Sequence, residues 1–229
     1  MYHFSTGLKP SILSVVASML ILSTPAWSAC SIVSGQYVCN GPTVETITST
    51  YPIGVTDGFS ATNSTPTGGI AWTQDASSSV TTTSNDAFWS NNSSSGDTLF
   101  TQQAGASITS GLSGVWLETG GTGSSTVIQT SGDINGNGAS GFGIYAFNFA
   151  NTKDINFIQS GGTITGNSAG VQIENQGTGS TFIQTAGDIT GISAEGLAVH
   201  NVSNDSKDLT MIQSSGSITG GGGLAGVFI

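Results

Sequence analysis

The stretch Asp133-Ile134-Asn135-Gly136-Asn137-Gly138 opens like a calcium-binding loop. Side-chain oxygens at alternate positions, then a glycine for the sharp turn, are what a hard cation asks of a chain. The twelfth position of such a loop supplies a bidentate glutamate, and here it is Ile144. Later copies of the slot read Thr163-Ile164-Thr165-Gly166-Asn167-Ser168 and Asp188-Ile189-Thr190-Gly191-Ile192-Ser193. A strand followed by a tight turn accounts for all three, so no metal ligands are assigned. Asp133 and Asp188 share a slot but are separated by Thr163. Two strand spacings put them roughly 9.6 Å apart, at the far edge of the about 5–9.5 Å that paired carboxylates need for glycoside hydrolysis. His200 is the one histidine beyond residue 29, and its slot is held by Glu174 one copy earlier and by Glu118 further back. That placement suits a surface ion pair with Glu174, worth under about 1 kcal/mol. A catalytic triad would need a serine and an acid converging on the ring, and no G-x-S-x-G elbow stands out. No catalytic residue and no cofactor is assigned.

Two further sets could do chemistry of a different kind. Cys30 and Cys39 are the only cysteines. In an exported chain such a pair reads as a disulfide, worth roughly 2–3 kcal/mol in the chain-entropy model. With no histidine nearby they make a poor metal site. Trp116, Tyr145, Phe147 and Phe228 fall in slots that read as outward-facing. Aromatics exposed on a flat sheet can bind glycans or a partner surface. Loops between the repeats can equally cover them.

The elements that position these residues recur. Ile128-Gln129, Ile158-Gln159, Ile183-Gln184 and Ile212-Gln213 each open a copy of one phrase. Each is followed by a glycine (Gly132, Gly162, Gly187, Gly216), an isoleucine (Ile134, Ile164, Ile189, Ile218) and a second glycine (Gly136, Gly166, Gly191, Gly220). A period of about 25 to 30 residues denotes a stacked architecture. The clearest strand alternates small or apolar positions with unrestricted ones: Val115/Leu117, Ile144/Ala146, Val171/Ile173, Leu197/Val199. That is a period of two, with one face buried. One copy cannot bury this face alone. Stacking lets each strand pair with its equivalent above and below, about 4.8 Å away, and places the isoleucines in interior columns worth roughly 1.5–3 kcal/mol per buried side chain.

These features specify a right-handed parallel β-helix. A β-propeller blade needs about 40–45 residues, and no segment holds a 3.6-residue period. Asn148, Asn175 and Asn201 are expected to stack at one corner and share amide hydrogen bonds along the axis. Gln129, Gln159, Gln184 and Gln213 are expected to form a second column. The residue before each isoleucine is also apolar (Val127, Phe157, Phe182, Met211), so the direction of the glutamines stays open.

Residues 1–29 read as a secretory signal peptide. His3 and Lys9 make a weakly basic start, Ile12 to Leu22 is a short apolar core, and small residues around Ala26, Ser28 and Ala29 suit cleavage. Ser28-Ala29-Cys30 also fits a lipoprotein leader, but Trp27 stands where an aliphatic residue is expected. Residues 30–98 read as an N-terminal cap with irregular first coils, and residues 99–229 as about five regular coils. The chain stops at Gly226-Val227-Phe228-Ile229, inside a strand rather than at a polar capping unit, which leads us to expect a longer polypeptide.

Of the three basic side chains only Lys153 and Lys207 lie beyond the leader, against 13 acidic ones, and arginine is absent. Phosphate recognition needs positive charge, so nucleic acid is excluded as a partner. A lyase lacks its usual strong base for the same reason.

A signal peptide leading into Cys30-Ser31-Ile32-Val33-Ser34-Gly35-Gln36-Tyr37-Val38-Cys39-Asn40-Gly41, followed by degenerate glycine-rich strand repeats, resembles the start of a bacterial autotransporter passenger. The resemblance implies a Gram-negative source and a non-enzymatic β-helical stalk at the cell surface, with adhesion or aggregation as its role. It also implies a covalently continuous C-terminal β-barrel, of which no strand pattern occurs before Ile229. Without that barrel the expected location is the periplasm. Partners would be surface glycans or the surface of a host or neighbouring cell. Two other readings of the same fold are a β-helical carbohydrate-active enzyme and a large exoprotein exported through a partner barrel.

Overall fold

A computed structural model describes residues 29–33, 36–40, 43–47, 58–202 and 208–229. The expected leader lies almost wholly outside these residues, as does Lys207. The described chain is all-β, and its strands form three sheets of nine, seven and six strands. One antiparallel pairing, Ala29–Val33 against Gln36–Asn40, opens the nine-stranded sheet. Every later pairing is parallel and joins equivalent strands of successive coils. The chain is a right-handed parallel β-helix with three walls.

Alternation decides which side chains enter. Val115, Ile144, Val171 and Leu197 form one column, and Leu117, Ala146, Ile173 and Val199 form the next. None is more than 1 % exposed. In the six-stranded sheet, Val80, Ile108, Ile134, Ile164, Ile189 and Ile218 stand over one another as expected. Parallel register begins well before residue 99. Phe59–Asn63, Ile70–Gln74 and Ser79–Thr81 already pair with the coil that follows. Their interior is aromatic: Phe59 stacks on Phe88 at 5.0 Å, Phe88 meets Phe100 at 5.0 Å, and the Trp72 indole N–H donates to the Ser90 hydroxyl at 2.9 Å. A small Ser90 opposite a large Trp72 keeps the cross-section filled.

The glutamine column points inward. Gln74, Gln102, Gln129 and Gln159 are fully buried, and the amides of Gln102, Gln129 and Gln159 each donate to the carbonyl oxygen of the glutamine before it at 3.0 Å. All four amides also reach the backbone where the six-stranded sheet begins in the next coil, as from Gln74 to the Ser107 carbonyl at 2.8 Å. The ladder therefore stitches one corner along the axis.

One expectation about this column is corrected. Gln184 is not a rung, because Ile183 pairs with Phe157 and Gln184 with Ile158, which puts Thr185 in the glutamine column. The next turn explains the slip. Thr130-Ser131-Gly132 and Ser160-Gly161-Gly162 link the two sheets in earlier coils, whereas Ala186-Gly187 does so here, one residue shorter. The direction left open by the sequence follows from the same register: Ile128, Ile158 and Ile212 face outward. Inward positions of this sheet go instead to Val127, Phe157, Ile183 and Met211.

The asparagine column is real but bonded differently. Asn63, Asn92, Thr119, Asn148, Asn175 and Asn201 align. Only Asn63 to Asn92, at 3.2 Å, is an amide bond along the axis. The amide groups otherwise clamp the turn that follows: Asn92 donates to the Gly96 carbonyl at 2.8 Å, Asn148 to Lys153 at 3.2 Å and Asn175 to Gly179 at 3.3 Å. A turn carbonyl left unpaired inside the coil would be costly, and the next asparagine is one coil away. The local partner wins.

Candidate binding face

The outer surface of the nine-stranded sheet carries the candidate site. Strand alternation that sends Val115 and Leu117 inward sends Trp116 and Glu118 outward. Parallel register then builds one column of Trp89, Trp116, Tyr145 and Gln172, and a second of Asn91, Glu118, Phe147 and Glu174. Trp116, Tyr145 and Phe147, all singled out by the sequence, are brought together here and are half-buried.

The rings interlock. Trp116 lies 4.3 Å from Tyr145, Tyr145 lies 6.2 Å from Phe147 at 12° between planes, and Phe147 meets Phe149 edge-on at 4.4 Å. Phe142, from the corner before the strand, packs on Tyr145 at 5.2 Å and on Trp116 at 6.1 Å. Phe142, Phe149 and Trp89 were not recognised as part of this group from sequence. Phe142 lies before the strand, Phe149 continues its outward parity one residue past Asn148, and Trp89 precedes the regular repeat. A column alignment extended back one coil would have found Trp89.

Two carboxylates sit among the rings. Glu118 accepts from the Trp116 indole N–H at 2.9 Å and from the Asn91 amide at 2.9 Å. Glu174 accepts from the Gln172 amide at 2.6 Å and from the Tyr145 hydroxyl. Burial and the negative charges of Glu174 and Glu118 push the Tyr145 phenol far above its ordinary value. Both acids are thus held by neutral donors.

The remaining candidates take structural roles. Asp133 accepts from the Thr163 hydroxyl at 2.6 Å, and Asp188 accepts from the Ser217 amide and hydroxyl at 2.8 and 2.7 Å. Thr163 does separate the two aspartates in register. The calcium-like stretch is strand over Asp133–Gly136 with Ile134 wholly buried, and Ile144 is also in the core. Glu174 and His200 are register neighbours, but the His200 ring lies against Phe228 at 5.4 Å. Cys30 and Cys39 face each other across the opening hairpin and are disulfide-bonded, with Cα atoms 4.1 Å apart. Their sulfurs and the Glu45 carboxylate lie within 4.8 Å of one another, but a disulfide offers no thiolate to a metal.

One role for acidic residues escaped the sequence reading. Asp86, Asp97, Asp154 and Asp188 each accept the backbone N–H of a serine one coil later (Ser113, Ser124, Ser180 and Ser217), every bond being 2.8 Å long. These aspartates fix corners. Their signal was an Asp followed 26 to 29 residues later by Ser, which is weak in a chain so rich in serine.

The chain matches no protein-family model, no curated protein and no solved structure.

Proposed function

We propose that the protein is a non-enzymatic, exported β-helical stalk of the autotransporter-passenger type, whose nine-stranded face binds glycans on a neighbouring surface. The observation that carries this reading is the half-buried group of Trp116, Tyr145 and Phe147, held rigid by Phe142 and Phe149 on the outer wall. Rigid rings lose little entropy on binding, and a soluble protein seldom leaves such a patch without use. The disulfide favours an oxidising compartment, in keeping with export and with a leader over residues 1–29. In this reading a covalently continuous C-terminal barrel would anchor the stalk in the outer membrane.

The test is binding of the full chain to a glycan array and to whole cells, compared with a Trp116→Ala/Tyr145→Ala/Phe147→Ala variant. Loss of binding at unchanged circular dichroism supports the proposal. Equal binding by both chains, or none by either, rejects the face as an adhesion surface. Protease shaving of intact cells that express the native gene tests surface display.

A further inference from the structure

The binding face combines features that select the charge of its ligand. Glu118 and Glu174 flank Phe147 in one column, one coil to either side, beside the Trp116–Tyr145 pair. Their oxygens are met by an indole, two amides and a phenol, none of them cationic. Among the described residues Lys153 is the one lysine, and it is exposed at the corner beyond Phe149. Ring faces carry negative quadrupole density and attract cations. An uncharged partner would have to desolvate both carboxylates without a countercharge, and an anionic one would be repelled.

We infer that the Trp116–Tyr145–Phe147 face takes a linear glycan bearing free amino groups, with Glu118 and Glu174 as counter-ions to its ammonium groups. The inference rests on the glycan-binding reading above and names its ligand class. Spacing argues for a saccharide rather than a basic peptide. Backbone positions of the Trp89, Trp116 and Tyr145 column follow the coil repeat of about 4.8 Å, with the Trp116 and Tyr145 rings 4.3 Å apart, close to the length of one pyranose unit in an extended chain. An extended peptide advances about 3.3 Å per residue and returns a side chain to one face only every second residue. A glucosamine polymer lying along the axis can set successive sugar faces against successive rings, with its amines toward the acid column.

Calorimetric titration of the full chain separates the outcomes, using a glucosamine hexamer, its N-acetylated form, a galacturonate hexamer and hexalysine at a pH where the amines are protonated. We expect the glucosamine hexamer to bind roughly tenfold more tightly than the N-acetylated form, as two exposed cation sites would give, with the preference weakening as salt rises. Glu118→Gln/Glu174→Gln, which removes both charges and keeps one acceptor oxygen on each side chain, should abolish that preference. Trp116→Ala/Tyr145→Ala should abolish binding of both hexamers. Equal affinity for the free and N-acetylated forms overturns the ammonium inference and leaves the glycan reading standing. Hexalysine binding as tightly as the glucosamine hexamer overturns the saccharide assignment. A preference that survives both double variants assigns the effect to the chain's overall charge and overturns the site. Binding of no glycan at all rejects both proposals.

Discussion

Gln159 and Thr185 occupy successive rungs of one buried column, and the threonine is too short to meet the glutamine. The Oε1 of Gln159 and the Oγ1 of Thr185 are the buried side-chain oxygens without a hydrogen-bond partner among the described residues. Elsewhere in the ladder that oxygen accepts from the next glutamine. The shorter Ala186-Gly187 turn therefore breaks the ladder at this coil.

Thr185→Val follows directly. It removes an unpaired buried hydroxyl at nearly constant volume, and we expect stabilisation of up to about 1 kcal/mol. Thr152→Val is the control, because the Thr152 hydroxyl donates to the Phe149 carbonyl at 2.6 Å. It should destabilise by about 1 kcal/mol. Urea melts of the two variants read the opposite signs.

The two sets of isoleucines should respond differently to truncation. Ile134→Ala opens a cavity in a wholly buried column and is expected to cost about 2–5 kcal/mol. Ile158→Ala acts on the outward column of the neighbouring sheet and should cost under about 1.5 kcal/mol. Comparable losses in thermal melts would contradict the observed register.

Glycine matters most where a coil backs onto the previous corner. Gly132 has φ +98°, and a Cβ there would lie 2.0 Å from the Ala106 carbonyl oxygen. Gly105 has φ +77° but its nearest neighbour would be 3.6 Å away. Gly105→Ala should cost about 1 kcal/mol through its backbone conformation alone. Gly132→Ala should cost clearly more, since one coil must move off the next. Chemical denaturation midpoints give the order.

Two of the corner aspartates should give opposite pH behaviour. Burial raises the Asp86 pKa above 3.8, against the lowering effect of its bonds from Ser113. Such a group stabilises most below its unfolded value, and its contribution falls as pH rises through the raised folded value. Asp86→Asn keeps an acceptor for the Ser113 N–H, so its stability relative to the parent should improve from acid to neutral pH. Bonds from Ser217 lower the Asp188 pKa below 3.8. Its contribution is present above that value and lost as pH falls through the folded one, so Asp188→Asn should be costly at neutral pH and lose its effect in acid. Melting temperature measured across that range compares the variants.

Much of the coil was legible because a period of two leaves few choices. Val115/Leu117 and Ile144/Ala146 had to face inward, and the single-residue spacing put Trp116, Tyr145 and Phe147 on the other side. The Ile134 column was legible too, since the glycines on either side of each isoleucine pinned it. The Gln184 assignment failed for a physical reason. Alignment by similar letters assumes equal turns, and a strand shifted by one residue exchanges its two faces.

Stacking, the alternation of the walls, and the shared outward wall of Trp116, Tyr145 and Phe147 could be read from the residue order, because repetition and alternation are properties of the string. Folding in three dimensions was needed to join Gln74, Gln102, Gln129 and Gln159 inside the coil, to set the asparagines on their own turns, and to bring four aspartates onto the coil after them. Those outcomes depend on turn length and on which polar partner lies within hydrogen-bonding reach, and both are set by atoms a full coil apart in sequence.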